Sequence, residues 1–152
     1  MIESRFADLG GLHAVVTGAS SGIGHAVSSE LARAGADVVL HCRQSRDEAE
    51  TLAAEIRSNG RKAEIAMADF SDANLLPGFV TAAWNCFGCV DIWVNCAGVD
   101  LLTGSEAELD YSQKLQKLLD VDVRSTILLG RLVGQKMNDV GQGVLLNILK
   151  RP

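Results

Sequence analysis

The sequence predicts an α/β fold: a doubly wound parallel sheet of five strands, in the order 3-2-1-4-5, with helices on both faces. Three observations predict it. Short apolar, β-branched runs alternate with longer amphipathic stretches, and such alternation closes right-handed crossovers onto a parallel sheet. The strand runs are continuously apolar rather than alternating, the pattern of strands covered on both faces. The chain has 152 residues, 47% of them hydrophobic, which suffices for one core and leaves little for a second.

Residues 12–17 form the first strand, closed by a Gly/Ser turn. A helix over 23–34 follows, with Ile23, Val27 and Leu31 on one face and Gly35 as its stop. The second strand, 36–42, carries Val38, Val39 and Leu40. The helix over 45–58 opens on Ser45, a candidate cap, and buries Leu52 and Ile56. The third strand is 62–68. A helix over 76–87 places Pro77 in its first turn, where a missing N–H costs nothing. The fourth strand, 91–95, contains Ile92, Trp93 and Val94. The longest helical pattern runs over 112–138, with Leu115, Leu118, Leu119, Ile127, Leu128, Leu132 and Val133 among charged residues, and the fifth strand is 143–148.

Composition removes several functions. The hydrophobic share excludes a disordered chain. A net charge of −5 speaks against a general nucleic-acid binder, which needs clustered Lys and Arg. No apolar run approaches the roughly 18 residues that cross a bilayer, so no membrane partner is expected. Residues 1–10 include Glu3, Arg5 and Asp8 and lack an apolar stretch, so a cytoplasmic location is expected. The four cysteines fit reduced thiols there. Cys86-Phe87-Gly88-Cys89 is formally a redox or half-zinc spacing. No second ligand pair with suitable spacing accompanies it, so it reads as two small semi-buried side chains at a helix-to-strand junction, and no metal site is expected.

The turn after the first strand carries the chemistry. Thr17-Gly18-Ala19-Ser20-Ser21-Gly22-Ile23-Gly24 spaces its glycines G-x-x-x-G-x-G. Glycines allow a tight turn and close backbone approach, and the following helix start aims free N–H groups and a partial positive charge at an anion such as a pyrophosphate. Ser20 and Ser21 add hydroxyl donors. A purely structural turn would also use glycine; its position in the first β-α-β unit favours nucleotide binding.

These residues resemble the classical short-chain dehydrogenase/reductase family over nearly the whole chain. Thr17-Gly18-x-x-x-Gly22-x-Gly24 is similar to that family's cofactor signature, and Asn95-Cys96-Ala97-Gly98 to its Asn-Asn-Ala-Gly after strand four. Phe87-Gly88 and Asp91-Ile92-Trp93-Val94 match the usual run into it, and the two cysteines merely flank that Phe-Gly. The resemblance implies a single Rossmann-type NAD(P)-binding domain over 1–152, incomplete on the C-terminal side of the sheet. The cofactor-binding set is then Gly18, Ser20, Ser21, Gly22, Ile23, Gly24, Arg43, Asp69, Phe70, Asn95, Ala97, Gly98 and Val121. Asp69, with Phe70 beside it, would hold the adenine. Asn95, Ala97 and Gly98 would line the adenosine ribose.

The residues themselves choose between cofactors. At the end of the second strand an acid would bond the ribose 2′-OH of NAD, whereas a nearby basic residue accommodates the 2′-phosphate of NADP. Cys42 stands at the acid's place and Arg43 follows. NADP is therefore expected, with NAD the alternative if Arg43 is only a solvated cation.

The resemblance implies hydride exchange between NADP(H) and a small carbonyl or alcohol, through a Tyr, a Lys four residues later, a Ser and a supporting Asn. The single tyrosine, Tyr111, is followed four residues on by Leu115, and no serine occurs after Ser125. The Asn position falls on Asp122, which accepts hydrogen bonds but lacks the amide donor; it is the one catalytic position represented. His13, His25 and His41 read as structural or solvated. The resemblance ends near Asn147-Ile148, and Leu149-Lys150-Arg151-Pro152 departs from it. Two functions follow: the cofactor part of an oxidoreductase, inactive as this chain alone, or a catalytically silent NADP-binding or interaction module. Homo-oligomerisation through the 112–138 helix is expected in either case.

Overall fold

A computed structural model describes residues 7–148. The structure of the final four residues, where the family resemblance ends, and of residues 1–6 lies outside that range. Five strands, β1 (His13–Val16), β2 (Asp37–Cys42), β3 (Ala63–Met67), β4 (Ile92–Asn95) and β5 (Val144–Asn147), pair in parallel in the order β3-β2-β1-β4-β5. The predicted fold class and strand order are both present.

Alternation along the strands splits the core into two layers. Ala14, Val16, Val38, Leu40 and Val94 face α1 (Gly22–Arg33) and α2 (Arg46–Ser58), where Leu52, Ala53 and Ile56 meet them. Val15, Val39 and Trp93 face the other way, against α3 (Leu76–Asn85) and α5 (Thr126–Val140). Helices cover both faces, which is why the strands read as unbroken apolar runs. Each fully buried Val or Leu contributes about 1.5–3 kcal/mol.

Three local expectations change. In α1 the residues against the sheet are Gly24, Ser28 and Ala32, while Ile23 is 46% exposed at the helix start. Small side chains let α1 lie close to the sheet, so the bulkier apolar row sits to one side. Ser45 stands at the N-cap of α2 but makes no capping hydrogen bond through its side chain. Cys86 and Cys89 do lie at the junction between α3 and β4, but both are exposed rather than semi-buried.

The long helical pattern is also more complex. It begins at α4 (Tyr111–Leu118), where Asp110 and Gln113 form a reciprocal capping box, passes through a π-helical stretch Leu119–Ser125, and continues as α5. Wide turns of this kind alter the helical phase. Leu115 and Leu118 before the switch and Leu119 at its start are partly exposed, whereas Leu129, Val133 and Met137 after it are buried. Gly141, at φ 80°, ends α5 in the left-handed conformation that glycine adopts freely.

β5 is an edge of the sheet among the described residues. Leu145 packs towards α5, but Val144 (51%) and Leu146 (48%) are exposed on the opposite face.

Candidate cofactor site

The site lies at the carboxyl ends of the parallel strands, where open α/β sheets place their ligand crevices. A cleft of about 600 Å³ opens there, bounded by the turn after β1, the ends of β2 and β3, the segment after β4, and α4.

The turn is held from beneath. Thr17 is buried, and its hydroxyl oxygen accepts the N–H groups of Cys96 (2.9 Å) and Ala97 (3.0 Å), tying the turn to the end of β4. The Ala19 N–H donates to the His41 carbonyl at 2.8 Å. The Gly18 N–H donates to His41 Nδ1 at 3.1 Å, and His41 Nε2 lies 3.0 Å from the Ala68 carbonyl oxygen. A carbonyl only accepts, so this pair of bonds selects the neutral imidazole with its proton on Nε2. The ring stacks on Phe70 at 4.0 Å and meets Phe79 edge-on. Burial lowers its pKa to about 4, against the opposing influence of the Ala68 carbonyl and Asp69. His41 is thus a positioning residue for the turn.

Two glycines are sterically required. Gly18 has φ 66°, and a Cβ there would stand 2.8 Å from the Ala97 Cα. A Cβ on Gly24 would stand 2.1 Å from the Gly18 carbonyl oxygen. Gly22 (φ 55°) differs: nothing lies within 4 Å of where its Cβ would be. Gly18, Ser20, Ser21, Gly22, Ile23 and Gly24 all border the cleft.

Arg43 borders it from the end of β2 and pairs with Glu106 at 3.2 Å; Lys117 of α4 reaches the same carboxylate oxygen at 2.9 Å. The hydrogen bond from Lys117 holds the Glu106 carboxyl below its usual range, with Arg43 adding to it, although partial burial acts the other way. Asp69 accepts from the Ser71 N–H (2.9 Å) and hydroxyl (2.7 Å). Burial works against its ionisation, but those bonds, with Arg43 and Lys117, prevail and lower its pKa.

Ala97, Gly98 and Val121 border the cleft as well, Val121 from the π-helical stretch. Phe70 contributes a buried ring stacked on His41 rather than an open face. Asn95 is turned away from the cleft: its Oδ1 accepts from the Trp93 indole N–H at 2.8 Å, and its Nδ2 donates to Asn147 at 2.9 Å. It therefore ties β4 to β5 instead of lining the ribose side. Asp122 accepts the Val99 N–H at 2.9 Å and so anchors the segment after β4. Tyr111 is 82% exposed at the first position of α4. Sequence reasoning missed Thr17, His41, Glu106 and Lys117 as parts of the site. Only Thr17 carried a signal, standing at the head of the glycine turn.

Fold and turn together define a Rossmann-type α/β domain. The family profile described as short chain dehydrogenase matches residues 12–149. The chain belongs to the short-chain dehydrogenase/reductase family. It is 36% identical over 138 residues to the short-chain reductase protein NovJ of Streptomyces niveus, covering 88% of this chain and 50% of that protein. A short chain dehydrogenase from Burkholderia cenocepacia J2315, solved in complex with NADP, superposes with a TM-score of 0.74 at 35% identity, covering 84% of this chain and 51% of that one. A metagenomic short-chain oxidoreductase, also in complex with NADP, gives a TM-score of 0.82 at 32% identity over 95% of this chain and 64% of that one. The chain spans about half the length of the curated relatives that match most of it. Among the described residues no helix is long and apolar enough to cross a membrane.

Proposed function

We propose that this chain is the cofactor-holding part of an NADP-dependent oxidoreductase that exchanges hydride between an alcohol and a carbonyl compound. The observation that carries the reading is the glycine turn opening onto the cleft with Arg43, rather than a carboxylate, at the end of β2. The donor set fits the group. Open space at Gly22 leaves room for backbone contact with a pyrophosphate, and the first N–H groups of α1 with Ser20 and Ser21 supply donors. Arg43, with Lys117 beside it, supplies a cation for the 2′-phosphate. Asp69 takes the adenine side, and Ala97, Gly98 and Val121 line the remainder. When bound, the nicotinamide supplies the hydride; the residues of this chain bind and orient it.

Titrating NADPH and NADH separately tests this. NADPH should bind more tightly, and Arg43→Ala should remove most of the difference; equal affinities in the wild type would defeat the NADP assignment.

A second reading, a catalytically silent NADP-binding or interaction module, is favoured by one observation. Tyr111 points to solvent at the start of α4 with no Lys four residues later, and Asp122 is engaged with the Val99 N–H. No tyrosine proton donor of this chain therefore stands in the cleft. Binding of NADPH without its oxidation across a panel of carbonyls is the expected result, and robust turnover would overturn it. The reading extends to self-association through α4 and α5, supported by the exposed apolar row Leu115, Leu118, Leu119 and Ile127. It extends also to the cytoplasm, supported by four cysteines that form no disulfide among the described residues.

A further inference from the structure

At the opposite end of the sheet from the cleft, three potential metal ligands converge. His13 opens β1, Asp91 precedes β4, and Cys89 lies in the turn between α3 and β4. His13 Nδ1 stands 3.0 Å from Cys89 Sγ and 3.8 Å from Asp91 Oδ2, and one donor atom of each residue lies within 4.8 Å of the others. We propose that His13, Cys89 and Asp91 form a binding site for a zinc-like divalent cation, separate from the cofactor cleft.

The donor chemistry selects the ion class. One imidazole nitrogen, one thiolate and one carboxylate are the mixed N/S/O ligands of zinc and its neighbours, not the all-oxygen set of magnesium or calcium. The two anionic ligands balance the divalent charge. On binding, the Cys89 S–H bond breaks, an S–metal bond forms, and one proton leaves to solvent; neutral His13 coordinates through Nδ1 with its proton on Nε2. Three protein ligands leave a fourth position for water.

The backbone prepares the arrangement. Parallel pairing of Ala14 with Ile92 places His13 beside Asp91, and the His13 N–H donates to Asp91 Oδ2 at 2.9 Å. Phe87 stacks on the His13 ring at 5.1 Å, and Gln142 Nε2 approaches the other Asp91 oxygen at 3.4 Å. Such outer contacts fix ligand orientation in metal sites. Cys86 stays out of the cluster, its thiol directed at the Ala82 carbonyl. The ligand pair is therefore His13 with Cys89, across 76 residues, and not the C-x-x-C.

Titration of the full, reduced chain with Co²⁺, read by thiolate-to-metal charge-transfer absorption, tests the assignment, with Zn²⁺ calorimetry alongside. One equivalent should bind with the charge-transfer band. Loss of an outer partner weakens metal sites roughly 10–100-fold, so Cys89→Ser should weaken binding by ~100-fold or more and abolish the band. His13→Gln should weaken it similarly, and Cys86→Ser should change nothing. Because Cys89 is exposed, Cys89→Ser carries the test even if His13→Gln fails to fold. Absence of the band in the wild type at millimolar Co²⁺, its survival in Cys89→Ser, or its loss in Cys86→Ser would each overturn the proposal.

Discussion

At the scale of single residues, the glycine turn beside the cleft is held by hydrogen bonds from beneath it. Thr17 accepts two N–H groups from the end of β4. Thr17→Val keeps the shape but strands those donors, and an unsatisfied buried donor costs about 1–3 kcal/mol. Chemical denaturation should record a loss of that size together with weakened NADPH binding. His41 gives the turn a pH dependence. Its pKa falls from 6.5 to about 4 on folding, so between those values the unfolded chain binds more protons than the folded one. Stability is full above about pH 6.5, erodes as pH falls towards 4, and ends about 3 kcal/mol lower, at roughly 1.4 kcal/mol per pKa unit. Thermal melts across that window should show this slope, and a His41→Phe variant should show a flatter one. Glu106 holds the two cations Arg43 and Lys117. Partly exposed pairs are worth about 0.2–1 kcal/mol, so Glu106→Gln should tighten NADPH relative to NADH by roughly 1.4–5-fold. An unchanged ratio would detach Glu106 from phosphate selection.

At the scale of elements, the helix pair α4–α5 shows how a change of period serves the cleft. The π-helical stretch delivers Val121 to the cleft and Asp122 to the Val99 N–H, while α5 continues with its apolar face on the sheet. Asp122→Asn retains an acceptor for that N–H and should be nearly neutral. Asp122→Ala removes it, with an expected cost of about 1 kcal/mol and faster amide exchange at Val99. Equal exchange in both variants would show that the bond does not hold the segment. The capping box at Asp110 begins the same pair; it stabilises a helix whose charged residues and half-exposed leucines bring little burial of their own.

At the scale of the whole molecule, two apolar surfaces stay open among the described residues: the outer face of β5, and the row Leu115, Leu118 and Leu119 at the end of α4 and the start of the π-helical stretch. Exposed sheet edges and apolar patches favour association. Light scattering on the isolated chain should give more than a monomer mass, and Leu119→Lys should lower it if that leucine row supplies the contact. A clean wild-type monomer would remove the association reading.

Much was legible in the chain itself, because sheet order follows from strand–helix alternation, and a glycine turn leaves a spacing that only a tight strand-to-helix connection needs. Gly18 and Gly24 are read that way, and the structure supplies the reason in contacts that a Cβ would violate. Arg43 is legible as a cation, but its partner is not, since Glu106 lies 63 residues away. The inward turn of Asn95, the bonds of His41 and the cluster of His13 with Cys89 are likewise beyond local reading. Sequence by itself determined fold, family and the place of the glycine turn, since periodicity and glycine spacing are properties of near neighbours along the chain. Tertiary structure alone decided which side chains support that turn, which cations meet which carboxylate and where helical period changes, because hydrogen bonds and ion pairs act over a few ångströms in space, whatever the separation in sequence.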